Sequence, residues 1–174
     1  MSTLGRFLDS NRSITVLTGA GVSTASGIPD YRDEKGDWKA STPIQYAEFA
    51  GSEDARRRYW ARSYVGWQRF GQAQPNAAHH SLAKLEAAGK IDTLITQNVD
   101  RLHSRAGSER VIDLHGDLSR VRCIDCDATT TRADFQLRIE KSNADWHARV
   151  FEYRPDGDAE LADASYADFS VPGC

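Results

Sequence analysis

Three short apolar runs alternate with helix-patterned segments, and that alternation restricts the fold more than any other property of the chain. In Ile14–Thr18 β-branched and apolar residues run together without alternation, the pattern of a buried strand, and Ile91–Thr96 and the run RVIDLHG ending at Gly116 read as a second and a third strand. Between the first two lies Glu53–Phe70, of helical length, with Tyr59, Trp60, Tyr64 and Trp67 at short helical intervals. Such an aromatic stripe faces either a core or a ligand. QPNAAHHSLAKLEAAGK reads as a second helix: Pro75 and Asn76 start it, Leu82 and Leu85 form its apolar face, and Gly89 stops it. NVDRLHSRAG reads as a short helix ending at Gly107, and Thr3–Asp9 as another ahead of the first strand. Strand, helix, strand, helix, strand in that order predicts an α/β fold with a parallel sheet and right-handed crossovers.

Directly behind the first strand the side chains nearly disappear. Gly19, Gly21 and Gly27 stand among Ser23, Thr24 and Ser26. A bare bend at the carboxyl end of a parallel strand lets backbone N–H groups approach a pyrophosphate, with the dipole of the following helix helping. A tight turn is the other reading. The spacing departs from the usual dinucleotide fingerprint, since the third glycine falls at 27 and not at 24. No acidic residue ends a second strand about twenty residues later, which disfavours a dehydrogenase. Gln97, Asn98 and Asp100 follow the second strand, where they could serve as turn and cap residues. His115 follows the third, at the edge where open α/β sheets place their sites. An imidazole there is either structural or a general base, since its ordinary titration near pH 6.5 suits proton transfer.

After Gly116 the character changes. Val121–Cys123 is a candidate strand and Ala133–Ile139 a weak helix, but Asp127 to Gly173 has no strong apolar period. This reads as a small module in need of a staple. Three cysteines, two of them as Cys123-Ile-Asp-Cys126, do not suit a secreted disulfide framework. Metal binding fits better, with a redox pair as the alternative. A tetrahedral structural zinc site takes four ligands; Cys123, Cys126 and Cys174 supply three. Earlier, Asp33 to about Ser52 is polar and aromatic, a long loop with short helical turns.

Charge excludes some partners. Twenty-two basic against twenty-five acidic residues leave a formal charge of −3, so no bulk electrostatic case exists for nucleic acid or an anionic membrane surface. The Arg56-Arg57-Arg58 cluster is interrupted by acids and aromatics and reads as a solvated helix face or a partner patch. No apolar run approaches the roughly 18 residues that span a bilayer. The segment MSTLGRFLDS has neither a hydrophobic signal core nor Arg-rich transit character, so a cytoplasmic protein is expected, as is a monomer.

Taken together, Gly19, Ala20, Gly21, Ser23, Ser26-Gly27-Ile28-Pro29-Asp30, Tyr31 and Arg32 resemble the NAD-binding signature of the sirtuins, the NAD-dependent protein deacylases. TQNVDRLHSRAG, Thr96 to Gly107, is similar to that family's second signature and LHG, Leu114 to Gly116, to its third. Cys123-x-x-Cys126 resembles the first half of its structural zinc site. GIPDYRDEKGDW, RYWARSYVGW and QPNAAHHSL lean towards the class II, mitochondrial-type branch. The resemblance covers Ile14 to Cys126 well and the remainder loosely.

That resemblance implies a partial Rossmann-like parallel sheet with a small zinc-binding module inserted. Residues 1–118 would be the N-terminal part of the NAD-binding domain and 119–174 an incomplete zinc module, the rest of the Rossmann-like domain being absent. A C-terminally truncated chain of this kind is expected to be inactive or unstable alone, because three strands leave a sheet edge unpaired. The implied reaction removes acyl groups from protein lysine, with NAD as co-substrate and nicotinamide and O-acyl-ADP-ribose as products. Its partner is an acylated-lysine protein. ADP-ribosyl transfer on the same scaffold and a non-catalytic NAD or ADP-ribose binding module are the alternatives. By resemblance His115 deprotonates the NAD ribose, and Asn98 and Asp100 activate the glycosidic bond. Contacts to NAD would come from Gly19, Ala20, Gly21, Ser23, Gly27, Ile28, Pro29, Asp30, Tyr31, Arg32, Trp38, Gln97, Asn98, Val99 and Asp100. Among these Tyr31 is an aromatic lid, and Arg32 pairs with a phosphate or positions that loop. Zinc would be structural, with one ligand missing from this chain. Tyr59-x-x-Arg62 resembles the pair that selects acidic acyl chains in one sirtuin class, yet it sits inside an aromatic helix, leaving acyl preference open. His79, His80 and His103 read as structural.

Overall fold

The computed structural model describes residues 2–31, 35, 44–162 and 165–174. Arg32 and Trp38 lie outside the described residues, as does most of the loop expected between Asp33 and Ser52. The chain divides into two compact units, Met1–Ile28 with Ala73–Asp117, and Pro29–Gln72 with Leu118–Cys174.

The first unit holds the parallel sheet. Its strands β1 (Ile14–Thr18), β2 (Ile91–Thr96) and β3 (Val111–Asp113) lie in the order β1-β2-β3, with both pairings parallel. Thr18, Thr96 and Asp113 are aligned in register, so the three carboxyl ends meet at one edge. Helix α1 (Thr3–Ser10) begins where the Ser2 side chain accepts from the Gly5 N–H. Helices α4 (Ala77–Ala87) and α5 (Leu102–Arg105) bring Ala83 and Leu102 into a core with Ile91 and Leu94. The expectation of a buried strand is corrected for β1: Thr18 is buried, but Leu17 is 63% exposed. Behind β1 the bare segment is a 3₁₀ helix, Ala20–Ser26, ended by Gly27 at φ 84°, a left-handed conformation that favours glycine.

The second unit contains α2 (Tyr46–Gly51), α3 (Glu53–Phe70) and α6 (Arg132–Ser142), with two antiparallel hairpins. These are β4 (Arg120–Arg122) with β5 (Thr129–Thr131), and β6 (Arg149–Tyr153) with β7 (Ala159–Ala162). The aromatic stripe of α3 faces a core: Trp60 and Ala61 pack with Phe135, Ile139 and Phe169, the Trp60 and Phe135 ring centroids 4.5 Å apart. Arg132 is buried against the same stripe, its guanidinium over Trp67 (4.7 Å) and Trp60 (5.4 Å) and bonded to Ser63 O (3.1 Å). Burial pushes it down to about 10.

This packing joins 29–72 with 118–174 in one compact unit. The aromatic core is long-range in sequence and leaves no local boundary signal. At Arg56-Arg57-Arg58 the helix face is paired within the unit: Arg56 caps the Phe49 and Ala50 carbonyls, Arg57 meets Glu53, and Arg58 meets Glu48.

Candidate active site

The carboxyl edge of the sheet gathers Gly19, Gln97, Asn98, Asp100 and His115. Gln97 continues β2 by donating its N–H to Thr18 O (3.0 Å), and the Leu114 N–H reaches Thr96 O (2.9 Å). These bonds hold the ends of all three strands together. Asn98, 9% exposed, donates its side-chain amide to Gly19 O (3.2 Å) and Ser23 Oγ (3.1 Å). Ser23, fully buried, donates its hydroxyl to Asp100 Oδ2 at 2.6 Å. The second oxygen of Asp100 accepts from the Leu102 N–H (2.9 Å). Asp100 thus accepts from the first N–H of α5, whose N-cap position is Arg101, so Asn98 does not start that helix. Arg101 enters that helix at φ 62° and pairs with Asp113 (2.6 Å) at the end of β3.

His115 Nδ1 lies 3.0 Å from Gln97 O. A carbonyl only accepts, so Nδ1 carries the proton and Nε2 of the neutral ring is an unprotonated base. Gly21 is informative for the opposite reason. A Cβ there would meet nothing within 4 Å, and its φ is not in the left-handed range, so neither packing nor backbone strain calls for glycine.

Two other expected contacts, Ile28 and Val99, are placed differently. Ile28 is 5% exposed and belongs to the core, whereas Val99 is half-buried. Pro29, Asp30 and Tyr31 fall in the second unit, where burial first, then Asp156 and Asp158, push the Tyr31 phenol up to about 12. Asn76 was legible only as a helix start. Its Oδ1 does cap α4 at Ala78 N (2.9 Å), but its Nδ2 also grips Val22 O (2.8 Å) and Ser26 Oγ (2.9 Å) of the bare segment.

In the second unit the sulfurs of Cys123, Cys126 and Cys174 all lie within 4.8 Å of one another. Backbone N–H groups of Asp125 and Cys126 point at the Cys123 sulfur and hold its thiol below the ordinary range, which favours the thiolate a metal needs. Three soft sulfur donors at this separation fit a zinc ion. Arg62, the basic member of Tyr59-x-x-Arg62, bonds Ala159 O (3.2 Å) and pairs with Glu160 (3.4 Å) and Asp158 (3.9 Å).

Residues 19–153, carrying every feature of the sheet-edge site, match the sequence model of the Sir2 family. The chain belongs to the Sir2 family. Among its Sir2 relatives is NAD-dependent protein deacetylase 2 of Bradyrhizobium diazoefficiens, 54% identical over 172 residues, covering 99% of this chain and 63% of that protein. Another is the mitochondrial NAD-dependent protein lipoamidase sirtuin-4 of Bos taurus, 47% identical, covering 98% of this chain and 55% of its own length. The solved Sir2–p53 peptide–NAD+ complex shares the fold, with a TM-score of 0.71 at 38% identity over 82% of this chain and 56% of that one. The chain thus spans about six-tenths of the length of the curated bacterial relative it matches. Among the described residues no helix is long and apolar enough to cross a membrane.

Proposed function

We propose that this Sir2-family chain supplies the nicotinamide and ribose side of an NAD-dependent protein-lysine deacylase. The observation that carries the reading is the joint placement of a base and its orienting groups: His115 held by Nδ1 on the Gln97 carbonyl so that a neutral ring presents Nε2 as the base, with Asn98 and Asp100 fixed through Ser23. The open space beside Gly21 supports close approach of a pyrophosphate to the backbone.

In this reading NAD enters along Gly19, Ala20, Gly21, Ser23 and Gly27, with Pro29, Asp30, Tyr31, Arg32 and Trp38 contributing from the following segment. Asn98 and Asp100 orient the nicotinamide riboside. The carbonyl oxygen of an acylated lysine displaces nicotinamide at the ribose, and His115 Nε2 removes the proton from a ribose hydroxyl. Acyl transfer and water then give free lysine and O-acyl-ADP-ribose. Zinc on Cys123, Cys126 and Cys174 would have a structural role.

The same reading places the protein in the class II branch, supported by GIPDYRDEKGDW and RYWARSYVGW and by the sirtuin-4 relative. It also takes the protein to be a cytoplasmic monomer, since one chain carries every residue assigned to the sheet-edge site.

Incubation of a form spanning the full length of its Sir2 relatives with NAD and an acyl-lysine peptide, followed by mass spectrometry, tests the proposal. O-acyl-ADP-ribose is the expected product. An ADP-ribosylated acceptor would favour transferase chemistry, and NAD binding without nicotinamide release would favour a binding module.

A further inference from the structure

Behind the site, His79 on α4 and His103 on α5 are 0% and 1% exposed, with ring centroids 4.7 Å apart. Each ring has one nitrogen with a partner, and that partner sets the tautomer. The Asn76 backbone N–H donates to His79 Nδ1 (3.2 Å), so a neutral His79 carries its proton on Nε2. His103 Nε2 lies 2.9 Å from Thr18 Oγ1, whose single hydroxyl proton goes to Thr96 Oγ1 (2.9 Å). His103 Nε2 is therefore the donor, and Nδ1 keeps a bare lone pair. The ring nitrogens left without a partner are His79 Nε2 and His103 Nδ1. One is a donor and the other an acceptor on adjoining rings, complementary in kind although they do not bond each other directly.

Burial is the largest influence on both groups. It pushes His79 down and His103 down to about 4, against the opposite pull of Asp100. His80, also on α4, adds a small push in the same direction as burial on His79. From the sheet, β1 and β2 meet this network with the hydroxyls of Thr18 and Thr96.

We propose that His79 and His103 form a neutral donor–acceptor relay, closed through one buried water, which makes His103 a positioning residue for the sheet-edge site. The relay runs from the Asn76 N–H through both rings to Thr18 and Thr96, and Thr96 Oγ1 in turn accepts the Asn98 N–H (3.1 Å). Its first residue also grips the bare segment at Val22 and Ser26. One end of the network thus holds the Asn98 peptide and the other holds the bend behind β1. The consequence for NAD rests on the deacylase reading; the relay itself does not.

Nitrogen-15 NMR of the imidazoles in the wild-type chain at neutral pH reads the tautomers. Both rings are expected neutral with the proton on Nε2. A His103 ring protonated at Nδ1, or an imidazolium at either position, overturns the relay. His103→Leu leaves the Thr18 hydroxyl a partner short, and is expected to weaken NAD binding about tenfold and to move the Asn98 amide resonance. His103→Gln, whose side-chain amide replaces Nε2 as donor, is expected to restore affinity to within about threefold and return the Asn98 resonance. Equal losses in both variants would show that ring volume, not the donated proton, matters, and would end the positioning role. If a wild-type form spanning the full length of its Sir2 relatives binds neither NAD nor ADP-ribose, the deacylase reading falls, while the ring tautomers and the Asn98 resonance still decide the relay.

Discussion

Ser23 Oγ donates to Asp100 Oδ2 across 2.6 Å, tying the bend behind β1 to the loop behind β2. The same oxygen accepts from Asn98 Nδ2, so one buried hydroxyl serves both groups assigned to nicotinamide activation. Ser23→Ala strips a partner from each at once. Leaving buried polar groups unsatisfied costs about 1–3 kcal/mol, so nicotinamide release should slow about 10- to 100-fold. Wild-type rates in the alanine variant would show that Ser23 does not organise the site.

Replacing His115 separates base catalysis from binding. His115→Ala should lower O-acyl-ADP-ribose formation about 10²- to 10⁴-fold, the usual worth of a positioned general base. Calorimetry should show little change in ADP-ribose affinity, because the bond lost is to the Gln97 carbonyl and not to the bare segment. Product formation at the wild-type rate would remove His115 from the chemistry.

Acid should unfold the sheet unit through its buried imidazoles. His103 is held down at about 4, against 6.5 for the ordinary group, so the folded state favours its neutral form. That contribution is fully present above about pH 6.5 and is lost as pH falls towards 4. Melting temperature should therefore decline across this window, and His103→Gln should flatten the decline. An unchanged slope in the variant would assign the acid sensitivity to other groups.

Zinc should bind through the clustered thiols. Metal analysis is expected to find zinc in the purified chain, with Cys123→Ser and Cys126→Ser each losing most of it. Chelation should then destabilise the second unit, since binding energy at a structural site is folding energy. A metal-free protein that melts identically with and without added zinc would refute the site.

Gly66 tests how the β6–β7 hairpin seats on α3. A Cβ at this position would stand 2.2 Å from Gly157 O and 2.6 Å from the Asp158 carbonyl carbon. Alanine gains about 1 kcal/mol in helix propensity, whereas overpacking against backbone costs about 1–3 kcal/mol or more. At 2.2 Å the clash dominates, so Gly66→Ala should lower the denaturation midpoint. A raised midpoint would show that the hairpin shifts without cost.

Elements with local signals were readable from the chain. The parallel sheet follows from three β-branched runs separated by capped helices, and the clustering of Gly19, Asn98, Asp100 and His115 follows because each comes just after a strand end. What escaped depends on distant partners. The β6–β7 hairpin is short, its apolar residues interrupted by Glu152 and Glu160, and the grouping of α3 with α6 and Phe169 rests on aromatic contacts with no sequence boundary. Asn98 looked like a cap, but Asp100 accepts the Leu102 N–H, and the Asn98 amide goes to Gly19 and Ser23. His79 and His103 looked merely structural, because a tautomer is set by neighbours that only the fold assembles.

Asn76 starts a helix with its oxygen and grips the loop behind β1 with its nitrogen. Aspartate or serine there would still initiate α4 yet present no amide to that loop. Secondary-structure spectroscopy would pass such a replacement as benign while cofactor titration failed it. Position 76 is thus a place where attempts to harden the scaffold and attempts to preserve ligand grip must be judged on the same variant.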